Sequence, residues 1–294
     1  MKSNTLRVAM FGLALWLGVN QGIAQDLTYG FRAGLSYSKF LGDLEMDANG
    51  NAVEDYRFAS GFHIGIAFNY AITDLFGFRG EFLFTQRGTE YSYEGDSYIW
   101  LARATQDQRL LLGKRIQDVN ISTANLEVPL LTYFKLGRFE FSGGINLSVL
   151  MAASGGGGLN FEGISPSGNA VEPFRITLSY NFVKDEAGSR GASTIPVRID
   201  GTTVVTPSLI GAYYDYDEKN GNLFNTFDVG LTGGLSYYLN EGLYLGGRII
   251  YGLTDVDDNQ YDISLMRLNS DNSYVARADK NQNLTFQVSI GFLF

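Results

Sequence analysis

Cysteine is absent from the 294 residues of this chain, and histidine occurs once, at His63. The first absence excludes a disulfide scaffold, a thiolate metal site and a cysteine nucleophile. The second excludes a zinc or copper site built from several histidines. Charged residues make up only 18 %, with Lys+Arg 22 against Asp+Glu 31. A phosphate-binding surface needs the opposite sign, so nucleic acid is not an expected partner. After residue 24 no apolar run approaches the roughly 20 residues of a membrane-spanning helix. Entry of the remaining chain into a membrane would therefore require a β-barrel, the other structure that satisfies its own backbone in lipid. What the chain has instead is 36 Gly, 21 Phe and 18 Tyr, an aromatic content that excludes a disordered polymer.

The first residues read as an address. Lys2 and Arg7 precede the apolar run 8–19, and Gly22-Ile23-Ala24 supplies small residues where a signal peptidase reads. The expectation is a signal peptide over 1–24, cleaved after Ala24, followed by one domain over 25–294.

From residue 27 onward apolar and polar side chains alternate with the period of a β-strand. Leu27, Tyr29, Phe31, Leu35 and Tyr37 share one face, and Thr28, Arg32, Ser36 and Ser38 the other. The pattern recurs near 58–72, 76–87, 121–135, 139–149, 227–237, 243–253 and 283–294. Tight turns at 73–75, 137–138 and 240–242 alternate with long polar stretches near 40–57, 88–120, 152–222 and 255–281. An even strand count with short turns at one end and long loops at the other predicts an all-β fold. The expected form is an eight-stranded antiparallel up-and-down transmembrane β-barrel with long extracellular loops and both termini periplasmic. A soluble, lipocalin-like barrel would alternate as well, with its apolar face inward. The polar face is rich in Gly, Ser and Ala and carries both charge signs, which suits a crowded lumen. The apolar–polar alternation also runs to the last residue, Phe294. Pro129 interrupts one strand and predicts a bulge or a widened pairing there.

The segment Asn125-Leu126-Glu127-Val128-Pro129-Leu130-Leu131 resembles the "LEIPLL" strand of PorT-like outer-membrane β-barrel proteins of Bacteroidetes. Asp228-Val229-Gly230-Leu231 and Gly246 through Thr254 are similar as well. The resemblance covers most of 27–294 except the third outer loop. It implies a Gram-negative outer-membrane location and a C-terminal strand, ending at Phe294, read by the outer-membrane insertion machinery. It also admits an accessory role in a type IX-like secretion system.

Eight strands leave a lumen only wide enough for side chains. The inward face carries Arg32, Arg79, Arg87, Lys135 and Arg248 against Glu81, Glu127, Glu140 and Asp228. Mixed signs predict an ion-paired plug, where an ion-selective pore would show a ring of one sign. His63 is the natural base for an enzyme, yet parity puts it inside the wall among Gly and Ala, so a packed luminal histidine is expected. Asp215, Asp217 and Glu218 form one acidic loop cluster, and Asp255, Asp257, Asp258 and Asp262 another. Neither has EF-hand spacing. Solvated loop acids are expected, with weak divalent bridging to lipopolysaccharide the alternative. Gly155 to Gly158 lacks the Lys-Ser/Thr of a phosphate loop and is expected to let the chain leave its strand.

The third outer loop, 152–222, holds four of the five prolines: Pro166, Pro173, Pro196 and Pro207. It also alternates, through Ile176, Leu178, Tyr180 and Phe182, then Ile195, Val197 and Ile199, which predicts strand extensions or a hairpin above the membrane. Tyr213, Tyr214 and Tyr216, with Asp255, Asp257 and Asp258, are the candidate loop-binding residues. The functional expectation is a non-enzymatic barrel with no catalytic residue, cofactor or metal. It would bind an extracellular protein or glycan, or organise the envelope, among outer-membrane lipid and lipopolysaccharide. An outer-membrane enzyme or small channel is the lesser alternative.

Overall fold

A computed structural model of the chain describes residues 27–103, 105–277 and 279–294. The expected signal peptide and its cleavage site lie outside them. The strands are β1 (Leu27–Leu41), β2 (Glu54–Ala71), β3 (Phe76–Leu101), β4 (Arg109–Leu136), β5 (Phe139–Ile164) and β6 (Phe174–Asn181). They continue with β7 (Thr194–Ile199), β8 (Thr202–Pro207), β9 (Leu209–Ile210), β10 (Phe227–Tyr238), β11 (Leu243–Gly252) and β12 (Gln282–Leu293).

Eight of these close a ring of antiparallel neighbours in the order β1-β2-β3-β4-β5-β10-β11-β12, with β12 paired back to β1. Closure removes the free edges that an open sheet would present. The chain end is sewn to the chain start. Phe294 N donates to Tyr29 O at 2.7 Å, and the two rings stack at 5.6 Å between centroids. Both lie at the end that carries the tight turns, where Gly137 takes a left-handed φ of 61°.

The barrel is apolar outside and ionic inside. Phe31, Ile66, Leu231 and Ile290 are 47–52 % exposed, while their inward neighbours Arg32 and Glu81 are 3 % and 2 % exposed. In water this exterior would be costly; in hydrocarbon it is what a barrel requires. The soluble alternative has the opposite polarity and does not fit.

The same strands then outrun the band. Transmembrane barrel strands need about 9–11 residues, whereas β3 has 26 and β4 has 28. The stretch 88–120, expected to be a loop, is the upper half of one continuous hairpin paired out to Leu101↔Arg109. Parity persists through it while polarity inverts. Outward on β3, Phe78, Phe82 and Phe84 give way to Gln86, Glu90, Glu94 and Asp96; inward, Arg79, Glu81 and Arg87 give way to Tyr91, Tyr93 and Ile99. Above that crossover the sheet is an ordinary water-facing one, with an aromatic core.

Two irregularities sit at the crossover. The β2–β3 register shifts between Phe58 and His63. In β5 the register against β4 skips Met151, so inward positions change from even (Glu140, Ser148) to odd (Ala153, Leu159, Phe161). At this bulge β5 also exchanges neighbours, from β10 below to β6 above. Gly155 to Gly158 accordingly do not release the chain; they are mid-strand, paired with β4 and β6. Gly157 is required by close approach, since a Cβ there would fall 1.8 Å from Asp118 O. Pro129 produces no register slip. It leaves a local gap in the β3–β4 ladder between the Gly80↔Leu130 and Leu83↔Glu127 pairs, as a strand residue without an N–H should.

Segment 165–222 folds over the extended sheet. Within it β7 and β8 form a two-stranded hairpin closed by Asp200 and Gly201, both at positive φ (49° and 78°), the turn that Asp-Gly favours. Ile176, Leu178, Phe182, Val197, Ile199, Val204 and Ile210 join Tyr91, Ile99, Leu111 and Phe161 in one buried core. The barrel thus carries a folded cap, with a hydrophobic core of its own.

Candidate functional site

Among the described residues three ionic groups fill the lumen, each drawing side chains from different strands. Nearest the turn end, Arg79 of β3 donates bidentately to Glu140 of β5 at 2.7 and 2.9 Å, and Tyr238 OH adds a third donor at 2.9 Å. In the middle, Glu81 accepts from Arg248 at 2.7 and 2.8 Å and from Arg32 at 3.2 Å. Toward the cap, Arg87 pairs with Glu127 and, at 3.2 Å, with Asp228. Fork-to-fork geometry of this kind makes an arginine–carboxylate pair strong in a dry site. Eight of the nine residues read as luminal charges meet here. The ninth, Lys135, stands apart at the turn end, half-buried over the rings of Tyr133 and Tyr238.

His63 joins this lattice as a structural member. Its Nδ1 lies 3.1 Å from Ser36 Oγ and its Nε2 2.8 Å from Ser289 Oγ, which also accepts from Arg32. Among the described residues no carboxylate orients the imidazole, and the ring is buried beyond substrate reach. A nucleophile–base–acid relay cannot be assembled around it.

The loop residues singled out in the sequence are placed differently. Tyr213 and Tyr214 are fully buried and Tyr216 nearly so. They offer no contact surface because their hydroxyls pin the cap: Tyr213 OH donates to Phe182 O at 2.7 Å and accepts from Leu223 N at 2.8 Å. Tyr216 OH bonds the Asp262 backbone. Asp215 separates from Asp217 and Glu218, being buried 3.6 Å from Arg115, while Asp217 extends to Arg103 at the surface. Burial pushes the Asp215 carboxyl above its usual value, against the pull of Arg115.

The last outer loop is latched by an arginine that the sequence alone does not single out. Arg277 reaches Glu54 at 2.7 Å, Glu45 at 3.2 Å, Asp262 at 3.9 Å and Asp279. Asp255 and Asp257 are both tied to Asn281, which also donates to Asp279; Asp258 is half-buried. The Asp257 carboxyl is pushed up to about 8 by burial, by its hydrogen bond with Asp255 and by Asp279. Among the described residues no group of three or more acidic or histidine side chains is arranged to hold a metal ion.

The accessible polar surface is elsewhere, on the outward face of the extended sheet. A groove of about 500 Å³ is lined by Arg57, Glu90, Asp118, Asn120, Asn160 and Arg175, and floored by Gly156 to Gly158. A second, of about 300 Å³, continues from Asn120 and Gly156 down to Ser60, Gln86 and Ser122. No sequence motif marks this face, because its residues meet only when β2 to β5 continue past the band and β6 pairs beside them.

Several solved structures are similar to the chain at low identity and low TM-score. The attachment invasion locus protein Ail of Yersinia pestis, in complex with a heparin analogue, is 12 % identical at a TM-score of 0.35, covering 92 % of this chain and 99 % of its own. Neisserial surface protein A is 11 % identical at 0.34, covering 90 % and 96 %. The outer membrane protein OprG of Pseudomonas aeruginosa is 13 % identical at 0.33, covering 91 % and 95 %. No curated protein matches the sequence. A family model does: residues 23–258 match that of the outer membrane protein beta-barrel domain. The chain belongs to the outer membrane protein β-barrel domain family.

Proposed function

We propose that this protein is a non-enzymatic outer-membrane anchor that binds an extracellular protein or glycan through its cap. One observation carries the reading: the lumen is closed by three buried ion-pair groups, so neither passage nor catalysis has a path through it, and the accessible polar relief lies on the extended sheet beside the cap, which contributes Arg175. In this reading the signal peptide over 1–24 delivers a Gram-negative envelope protein. The insertion machinery reads the strand ending at Phe294, lipopolysaccharide surrounds the band, and both termini are periplasmic. The groove offers guanidinium, carboxylate and amide groups side by side, the set that recognises hydroxyl-rich or mixed-charge ligands.

The test is crosslinking from the groove in intact cells, compared with Gly156→Trp. A Cβ at Gly156 meets nothing within 4 Å, so the indole fills the groove without disturbing the strand. Specific crosslinks that the variant loses support the reading; an unchanged crosslink pattern refutes it.

The strand at 125–131 favours a second reading, a PorT-like accessory subunit of a type IX-like secretion system. Mild detergent extraction separates the two, since an accessory subunit leaves the membrane with its machine and a lone anchor leaves it free.

A further inference from the structure

At the end of the barrel opposite the cap, the turns 137–138 and 240–242 wall a shallow pocket of about 330 Å³ lined by Lys135, Gly137, Arg138, Tyr238, Asn240 and Glu241. Lys135 is held in it from two sides. Its backbone N donates to Leu75 O at 2.7 Å, and its ammonium sits 5.4 Å from the Tyr133 ring centroid and 5.1 Å from that of Tyr238. Ring faces attract a cation but do not neutralise it. The acid directly across the ladder, Glu140, is already committed: one oxygen accepts from Arg79, the other from Arg79 and from Tyr238 OH. Among the described residues no carboxylate oxygen lies within 4 Å of the Lys135 ammonium, and Arg138 adds a second cation at the pocket wall.

We propose that this pocket binds a small zwitterion of the α-amino-acid type, its carboxylate on Lys135 and Arg138 and its ammonium on Glu241. The charge pattern argues for it. Two cations and one anion around a shallow space complement a ligand that carries both signs on groups attached to one carbon. A half-buried ammonium fixed by two rings is preorganised, so little side-chain entropy is lost on binding. The ion pairs of Arg79 and Glu140 close the pocket toward the lumen, so the site binds and does not conduct. The orientation proposed above makes this face periplasmic, but the chemistry does not depend on it.

The experiment uses the full mature chain in detergent micelles with its lysines reductively dimethylated with carbon-13, a change that keeps their charge. Stacking over two rings should move the Lys135 methyl resonance upfield by ring current, and Lys135→Arg assigns it by deletion. The resonance should shift saturably with D-alanine at millimolar concentration, more weakly with acetate, and not with ethylammonium. Arg138→Gln should weaken D-alanine binding roughly tenfold, as loss of a charge-assisted contact does. Glu241→Gln should remove the preference for D-alanine over acetate. Absence of an upfield resonance, no shift with D-alanine, or equal shifts with D-alanine, acetate and chloride would overturn the assignment. The Gly156→Trp variant, altered at the far end, should titrate as the parent does, so the two sites stand or fall separately.

Discussion

Arg277 Nη1 lies 2.7 Å from Glu54 Oε1 and 3.2 Å from Glu45 Oε2, joining the last outer loop to the first loop and to β2 across the mouth of the barrel. Replacing Arg277 by Leu leaves Glu54 and Asp279 buried or half-buried without their cation, and Glu45 with only the exposed Arg267 at 3.6 Å. Breaking such a group by removing one partner costs on the order of 3–5 kcal/mol, here felt locally. Amide hydrogen exchange over 255–281 should rise steeply in the variant while β1 and β12 keep their protection. Unchanged exchange in the loop would show that the latch contributes nothing.

The same loop should respond to pH through Asp257. Its carboxyl is pushed up to about 8 in the folded cap, while in an opened loop it returns to about 3.9. The folded form therefore holds a proton that the open form releases. The associated stability is complete below the open-state value, erodes as pH rises, and is gone above about 8. Opening should increase by up to about tenfold per pH unit between roughly 5 and 8, then level off. Asp255 and Asp279 face this carboxyl and Asn281 donates to it at 3.0 Å, and Glu45, also raised by burial, acts in the same direction. Asp257→Asn should flatten the dependence near pH 8. A parallel profile in parent and variant would disprove the assignment.

The lower half of this structure was legible residue by residue and the upper half was not, for one physical reason. Within the band each face has one environment from end to end, so Arg32, Glu81 and Arg248 could be assigned inward by parity alone. Above it β3 keeps parity but exchanges environments: Gln86, Glu90 and Glu94 face water where Phe82 and Phe84 faced lipid. Polar outward residues opposite Tyr91 and Tyr93 read as loop. The bulges near 58–63 and at Met151 shift the faces further. Arg115 and Asp215, a hundred residues apart, meet only through the cap, and no local pattern signals such a pair. In the upper half the alternation at 176–182 and 195–199 was legible and became β6 and β7, while the Asp200-Gly201 turn between β7 and β8 went unread.

Glu81 is the counter-ion of two buried arginines, Arg248 and Arg32. Glu81→Gln preserves its size and one acceptor oxygen but leaves the two guanidiniums facing each other. The expected loss is about 3–5 kcal/mol in denaturant unfolding from micelles. Arg32→Met should cost less, because Arg248 still forks onto Glu81. If the two variants are equally stable, the middle group is not organised around that carboxylate.

Ile66 and Gly65 are neighbours on β2 that face opposite media, and arginine placed at each should fail differently. At Ile66, 47 % exposed on the apolar exterior, the charge enters hydrocarbon, and the cost should be about 2–4 kcal/mol near the midplane. Because that penalty is imposed by lipid, thicker bilayers should hold it and a short-chain detergent that lets the guanidinium reach water should relieve most of it. At Gly65 a Cβ would stand 2.0 Å from Phe82 O and 2.8 Å from Leu83. The damage there is steric, and it should persist unchanged in every lipid or detergent. Unfolding free energies of both variants across a series of chain lengths distinguish the two: only the Ile66 series should slope. A flat Ile66 series would mean that this face of β2 does not meet the membrane interior.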